Sequence, residues 1–538
     1  MKHAAFAAAL ILSAAPFLAV FAGGLDGLVG VPMPDPPVPG DSDTYEQAWH
    51  FWWVGTSIRS GTDPRVCPLI GLPEPYSLVG SNIGWPDALL VGLAGSSDLQ
   101  GAAFCSLLWG TLLVACAGFL FARSWGLEAW PSALASVASA WAPARAAHVL
   151  QHYHVAGFGW VLLSMALLRI FLTRGGRGLL PVFALSLLLA SMQSAYHTLF
   201  GALGSLLVAI STIASRSVPA ARTASASGAF AVAMILSYLF FASFPGGMPP
   251  GMGRAEAVYW SAEPVSFLLP SPFGAPWALS GADPVMPWMP NLFEGVVTPG
   301  LTVLLLAAAF LLRNRSRAAM TAEDRKGLIL LALLSLIPFS LALGPWLKFM
   351  GVPVGIPMPF AIVQDIPMLE GARSPSRFAI LGACMLAVPA AAAAVSLGRR
   401  AGIAAALLVV LELVPPGLPT ISAAVPSVYR EGLPGETALE IPATEMARRH
   451  GYFMTADGRA RPVFFHTRRS TAVSDVFDPF RIDSPDTVSA GDAIATGVDV
   501  ILYNRWMYDP VVREEMDSRF GALFPGASSF DSVWVWRR

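Results

Sequence analysis

GDSDTYEQAWHFWW, residues 40–53, sets Asp41, Asp43, Glu46 and His50 directly against a dense run of aromatics in a chain otherwise poor in charge. A Pro/Gly segment, MPDPPVPG, stops at Gly40 and a helical pattern starts. Asp43 stands three residues before Glu46, the spacing of a helix N-cap with a capping-box acid. On that helix Asp43, Glu46 and His50 fall on one stripe, at i, i+3 and i+7, while Tyr45, Trp49 and Trp52 line another. The aromatic stripe suits a membrane interface, so the helix is expected to lie along the outer surface with its acids toward a cavity. Simple capping and anchoring is the competing reading. Capping needs only one Asp, however, and two precede this helix.

The rest of the chain supplies the membrane. Of 538 residues, 55% are hydrophobic and 13% charged, with a mean hydropathy of +0.58, whereas soluble domains carry charge on about a quarter of their residues. Apolar windows long enough to cross a bilayer fall near 4–24, 101–122, 128–142, 148–173, 178–192, 194–214, 224–244, 299–313, 327–346, 376–397 and 402–417, about eleven spans in all. The first has the Lys2-led look of a signal peptide but is longer than one, and is read as a retained helix.

Arginine fixes the expected orientation. With the N-terminus cytoplasmic, the inner connections carry Arg123, Arg174 and Arg177, Arg216 and Arg222, the segment Arg313 to Lys326, and Arg399 with Arg400. The opposite connections, chiefly 25–100, 245–298 and 347–375, are rich in Pro, Trp and Gly. The fold class expected is therefore an α-helical polytopic membrane domain over 1–417, followed by a small extracytoplasmic α/β domain over 418–538. In that tail, short alternating runs such as TALEIP, RPVFFHT, STAVSDV and VDVILYN read as strands.

Several functions are excluded early. A net charge of −1 and the lack of GxxxxGK or GxGxxG motifs argue against nucleic acid and nucleotide partners. Cys67, Cys105, Cys116 and Cys384 are scattered and form neither a disulfide framework nor a CxxC site.

A second polar group stands at the head of a span, in PARAAHVLQHYH (143–154). Arg145, His148 and His152 are spaced i, i+3 and i+7, with Gln151 beside them and His154 expected to point elsewhere. Ionisable residues on membrane segments are functional by default. His148 and His152 also have the spacing of metal ligands, but no acid completes an HExxH arrangement. Further outward polar residues are Gln193, Tyr196 and His197, Glu263, Glu294, and the pair Arg373 and Arg377 around a Ser-Pro-Ser turn. Arginine forks suit phosphate, although Arg377 can instead pair with Asp365 or Glu370.

Together these features resemble the GT-C superfamily of multi-spanning glycosyltransferases. The resemblance rests on GDSDTYEQAWHFWW in a long first outer loop, PARAAHVLQHYH at the outer end of a later span, SAEPVSFLLPSPFG, LALGPWLKF with IPMPF, IPMLEGARSPSRFAI, and a domain after the last span. It covers about residues 1–417 and is similar to a group of bacterial membrane proteins placed in that superfamily. The resemblance implies a polyprenyl-phosphate-linked sugar donor, a glycan, lipid or protein acceptor, a site facing the bilayer at the outer face of the bacterial cytoplasmic membrane, and an inverting displacement. Asp41 or Asp43 would be the general base, or the ligand of a divalent cation such as magnesium or manganese. Glu46, His50, Arg145, His148, His152, Tyr196, His197, Glu263, Arg373 and Arg377 would bind substrate. The family often has a second acid in its next outer loop, where this chain has Arg145 and His148.

Two other readings share the architecture. A lipid-linked glycan transporter would want mid-membrane charges and broken, symmetric helix pairs, and the sequence shows few of either. An assembly protein acting through its tail would need a site there, yet His450, His466 and Asp475 are isolated.

Overall fold

The computed structural model describes residues 2–24, 26–32, 40–70, 75–78, 81–94, 98–244, 254–281, 286–312, 320–364, 372–431, 435–441, 448–461, 498–508, 510–530 and 532–537. Asp365, Glu370, His466 and Asp475, together with most of RPVFFHT and all of STAVSDV, lie outside the described residues.

Each apolar window carries a helix. Among the described residues, seven helical segments are long and apolar enough to cross a membrane: His3–Ala22, Leu99–Ser124, Tyr153–Arg174, Ala195–Ser215, Ala220–Ala242, Ala322–Ala342 and Pro375–Ser396. Ala129–Ala140, Leu179–Gln193, Leu301–Leu312 and Arg399–Leu413 run only 12 to 15 residues, short of the roughly 20 that a hydrocarbon core of about 30 Å requires. The helix at the centre is Phe378–Ser396, buried along almost its whole length. Its alanine-rich surface lets Leu301–Leu312, Ala129–Ala140 and Leu336–Ala342 approach closely. At the end expected to be cytoplasmic, the Asp324 carboxylate takes Arg169 at 2.7 Å and also Arg216, while Arg169 stacks over Trp125.

The expected continuous helix over 148–173 is instead broken into Pro143–Val149, Tyr153–Ala156 and Gly159–Arg174. Arg145 explains how the break is tolerated. Fully buried, it donates from Nε to the carbonyl of Ala156 at 2.8 Å, from Nη1 to the carbonyl of Ala140, and from Nη2 to Thr111 at 2.9 Å. Ala140 and Ala156 are the last residues of their helices, whose carbonyls have no partner within the helix. One guanidinium fork therefore satisfies both ends.

Near the start of the chain, Gly27–Val29 pairs antiparallel with Thr420–Ser422. The chain then passes Gly30, where a side chain would meet Thr44 Oγ1 at 2.4 Å. The tail holds a four-stranded sheet in the order Ala438–Ile441, Val500–Asn504, Val533–Arg537, Ser528–Phe530. The first pair is parallel and the others antiparallel. Helices Arg448–Asp457 and Pro510–Leu523 accompany it.

Candidate active site

The first-loop helix is Asp43–Ser60. Its N-cap is Ser42 rather than Asp43: the Ser42 hydroxyl accepts from the Thr44 N–H. Gly61, at φ 69°, closes the other end. Tyr45 and Trp49 do not face the membrane interface. They are buried against the tail helix, Tyr45 stacking near Tyr452 and the Trp49 indole meeting Met454.

The tail helix also engages the acids. The two Asp41 oxygens accept from the backbone N–H groups of Arg448 at 3.1 Å and Arg449 at 3.0 Å, so Asp41 caps the helix N-terminus. The Arg448 guanidinium pairs with Asp43, lies 3.4 Å from Asp41 and 3.7 Å from Glu46. Burial pushes the Asp41 carboxyl up to about 6 against the pull of Arg448. Burial acts on Asp43 in the same sense, but Arg448 and His152 together outweigh it and hold that carboxyl well below its usual range. Arg448 is the residue that sequence reasoning missed: it sits in a polar tail beside Arg449, in no motif that points to the first loop.

The broken span brings the histidines to the same place. His152 Nε2 lies 2.9 Å from Asp43 Oδ2, and the Nδ1 atoms of His148 and His152 face each other at 2.9 Å. His154, expected to point away, stands with its ring 5.9 Å from that of His152.

Glu294 closes the cluster from a third loop. Asn291 caps the short helix Leu292–Gly295 and sets the carboxylate inward. Its Oε1 accepts from Arg377 Nε at 2.8 Å and Nη2 at 2.6 Å, and its Oε2 takes the Ser376 hydroxyl. Arg377 in turn sits over the ring of Tyr196, whose hydroxyl accepts from the Ser374 N–H at 2.7 Å. Arg373 is over a third exposed and is held only at 3.7 Å by Glu256.

Four of the expected substrate-binding residues are engaged elsewhere. Arg145 is consumed by helix ends. His197 bonds the Val155 carbonyl at 3.2 Å. Glu263 accepts from the N–H groups of Met350 and Gly351 at 3.0 and 2.7 Å. His50 packs beside Trp49 in the core, where burial pushes its imidazole down to about 3. In the tail, His450 lies 3.4 Å from Glu440 within a buried network of Arg461, Tyr429 and Asn504.

His148, His152 and Glu294 each offer a ligand atom within 4.8 Å of the others. Two imidazoles and a carboxylate form a donor set suited to zinc and similar borderline ions more than to magnesium. The contact of His152 with Asp43 is the carboxylate–histidine pairing that commonly orients a ligating imidazole. The residues thus fit a divalent ion, although Arg377 already offsets the charge of Glu294. A cavity of about 360 Å³, lined by Trp52, Gly55, Arg59 and Tyr452 among others, opens on the other face of the first-loop helix from Asp43.

No protein-family model matches the sequence, and no curated protein does. Several solved structures are similar in fold, two of them as follows. The oligosaccharyltransferase of Archaeoglobus fulgidus in its apo form is 12% identical, with a TM-score of 0.50 over 94% of this chain and 70% of that one. Arabinofuranosyltransferase AftD from Mycobacteria is 12% identical, with a TM-score of 0.53 over all of this chain and 39% of its own.

Proposed function

We propose that this chain, which has the fold of the GT-C membrane glycosyltransferases, transfers a sugar from a polyprenyl-phosphate-linked donor to an acceptor hydroxyl. The observation that carries the reading is the convergence of Asp43, His152, Arg448, Glu294 and Arg377, from five separate parts of the chain, where membrane helices end.

The reaction balances simply. The acceptor oxygen bonds to the anomeric carbon as the bond from that carbon to the phosphate oxygen breaks, and the phosphate leaves with the electron pair. A single displacement inverts the centre. The acceptor proton goes to the Asp43 carboxylate, which His152 holds in place through Nε2. Arg373, exposed beside the cluster, and Arg377, at the N-terminal end of the central helix, receive the departing phosphate. His148, His152 and Glu294 would hold a divalent ion, which would supply positive charge to the leaving oxygen. Asp41 and Glu46 position Arg448 rather than touch substrate.

In this reading the cluster and the tail face the outside of the cell and the acceptor is a glycan, lipid or protein of the envelope. The test is compositional mass spectrometry of surface polysaccharide, glycolipid and glycoprotein in cells carrying Asp43→Asn or the full deletion. Loss of one sugar in both, with the variant still in the membrane, supports the reading. A sugar lost by the deletion and kept by Asp43→Asn sinks it.

A further inference from the structure

After Ala342 the chain leaves its membrane helix at Gly344, where φ is 76° and a side chain would strike Ser261 Oγ at 1.6 Å. It then forms a hairpin of Trp346–Phe349 and Val352–Pro357. Met350 and Gly351 take φ of 52° and 82° at its tip, as a tight turn requires. The hairpin lies at the same end of the membrane helices as Arg377: Ala262 N–H donates to the Ala342 carbonyl, and Ser376 N–H to that of Trp260.

Two polar pins hold it from within. Glu263 grips the turn through the N–H groups of Met350 and Gly351, and Lys348 Nζ donates to the Tyr259 carbonyl at 3.1 Å. Apart from the half-buried Leu347, the rest faces out. Phe349 is 65% exposed, Val352 62%, Val354 47% and Ile356 53%. Lys348, itself buried, is the sole charged residue from 346 to 364. Such a row is not left in water, where contiguous apolar patches mark an interaction site.

The identity of what covers it follows from its surroundings. The row continues the exposed Leu333, Leu336 and Ile337 on the membrane helix that feeds the hairpin. Pro353 and Pro357 lack the N–H groups that another strand would need along this edge. A two-stranded ribbon is also marginal by itself and needs a surface to lie on.

We infer that the hairpin 346–357 is a membrane-surface anchor, its outward row seated among the acyl chains of the leaflet next to the Asp43 cluster. The inference does not depend on the sugar-transfer reading. Its partner is the bilayer lipid itself.

The test uses the full chain in nanodiscs. With Cys105→Ser and Cys116→Ser as background, an environment-sensitive fluorophore is placed at Val354→Cys, at Ile356→Cys, and at Glu515→Cys on the exposed tail helix. The expected result is blue-shifted emission at 354 and 356 that falls several-fold when the phospholipid carries a doxyl quencher on its acyl chain, with no change at 515. Water-like emission at 354 and 356 would overturn the inference. So would blue-shifted emission that lipid-borne quencher leaves untouched, since protein would then cover the row. Val352→Cys gives a third reading should either variant fail to insert.

Discussion

His152 Nε2 lies 2.9 Å from Asp43 Oδ2, and the other nitrogen of the same ring faces His148. The first-loop acid thus fixes the orientation of an imidazole delivered by a distant, broken span. Asp43→Asn keeps the shape and removes the charge. Transfer is expected to fall about 100-fold or more, the usual contribution of positioned acid–base groups, while the protein still reaches the membrane. Sugar content of the cell envelope checks the first point and immunoblotting of membranes the second.

The same contact bears on the metal site proposed at His148, His152 and Glu294. Removing a carboxylate that orients a ligating histidine typically weakens binding about 10- to 100-fold. Zinc titration of purified protein, followed by mass-spectrometric metal counting, is expected to show that weakening in Asp43→Asn and loss of the site in His148→Ala. Equal uptake by all three proteins would remove the metal from this cluster.

Arg448 joins the tail to Asp41, Asp43 and Glu46. Arg448→Ala leaves buried carboxylates without their cation, a loss on the order of 3–5 kcal/mol for a broken buried pair. The tail is expected to become sensitive to limited proteolysis at concentrations of protease that spare the native protein. A tail as resistant as before would show that the contact does not hold it.

Arg145 serves three acceptors at once. Lysine, with one compact ammonium, cannot span them. Arg145→Lys is therefore expected to lower thermal stability by about 2–5 kcal/mol, in the range of other buried charge-network losses, and a variant that melts with the native protein would refute the role as helix-end staple.

Glu440 sets a pH dependence in the tail. Burial pushes its carboxyl up to about 7 from the ordinary 4.5, against Arg461. Between those values the folded tail keeps a proton that the unfolded chain has released. The stability contributed by this group is therefore fully present below pH 4.5 and is lost as pH rises through about 7. Glu440→Gln should flatten the fall in tail melting temperature across that window, measured by tryptophan fluorescence.

Much of this architecture is legible from local pattern. Apolar windows mark all seven membrane-length helices among the described residues, because span formation depends on the composition of one segment, but they mark four shorter helices as well. The break at 150–158 is not legible, since Arg145, His148 and His152 keep helical spacing right up to it, and what makes it tolerable is a tertiary arrangement, Arg145 reaching the Ala140 carbonyl of another helix and that of Ala156. Asp43, Glu294 and Arg377 announce themselves as polar residues in apolar surroundings. Arg448 does not, because its meaning comes only from an acidic loop some four hundred residues earlier. Tyr45 and Trp49 mislead for a related reason: aromatic surface suits a headgroup region and a protein neighbour equally, and here the neighbour is Tyr452 and Met454.

The pairing of Gly27–Val29 with Thr420–Ser422, together with the grip of Arg448 on Asp43, joins the first loop to the start of the tail. During synthesis the first-loop acids therefore leave the ribosome long before their partner exists. The helices between them must be inserted before the first loop can be locked by Arg448, so a chain terminated early carries its acidic loop without that cation. The protein has, in effect, a completion check written into its own topology.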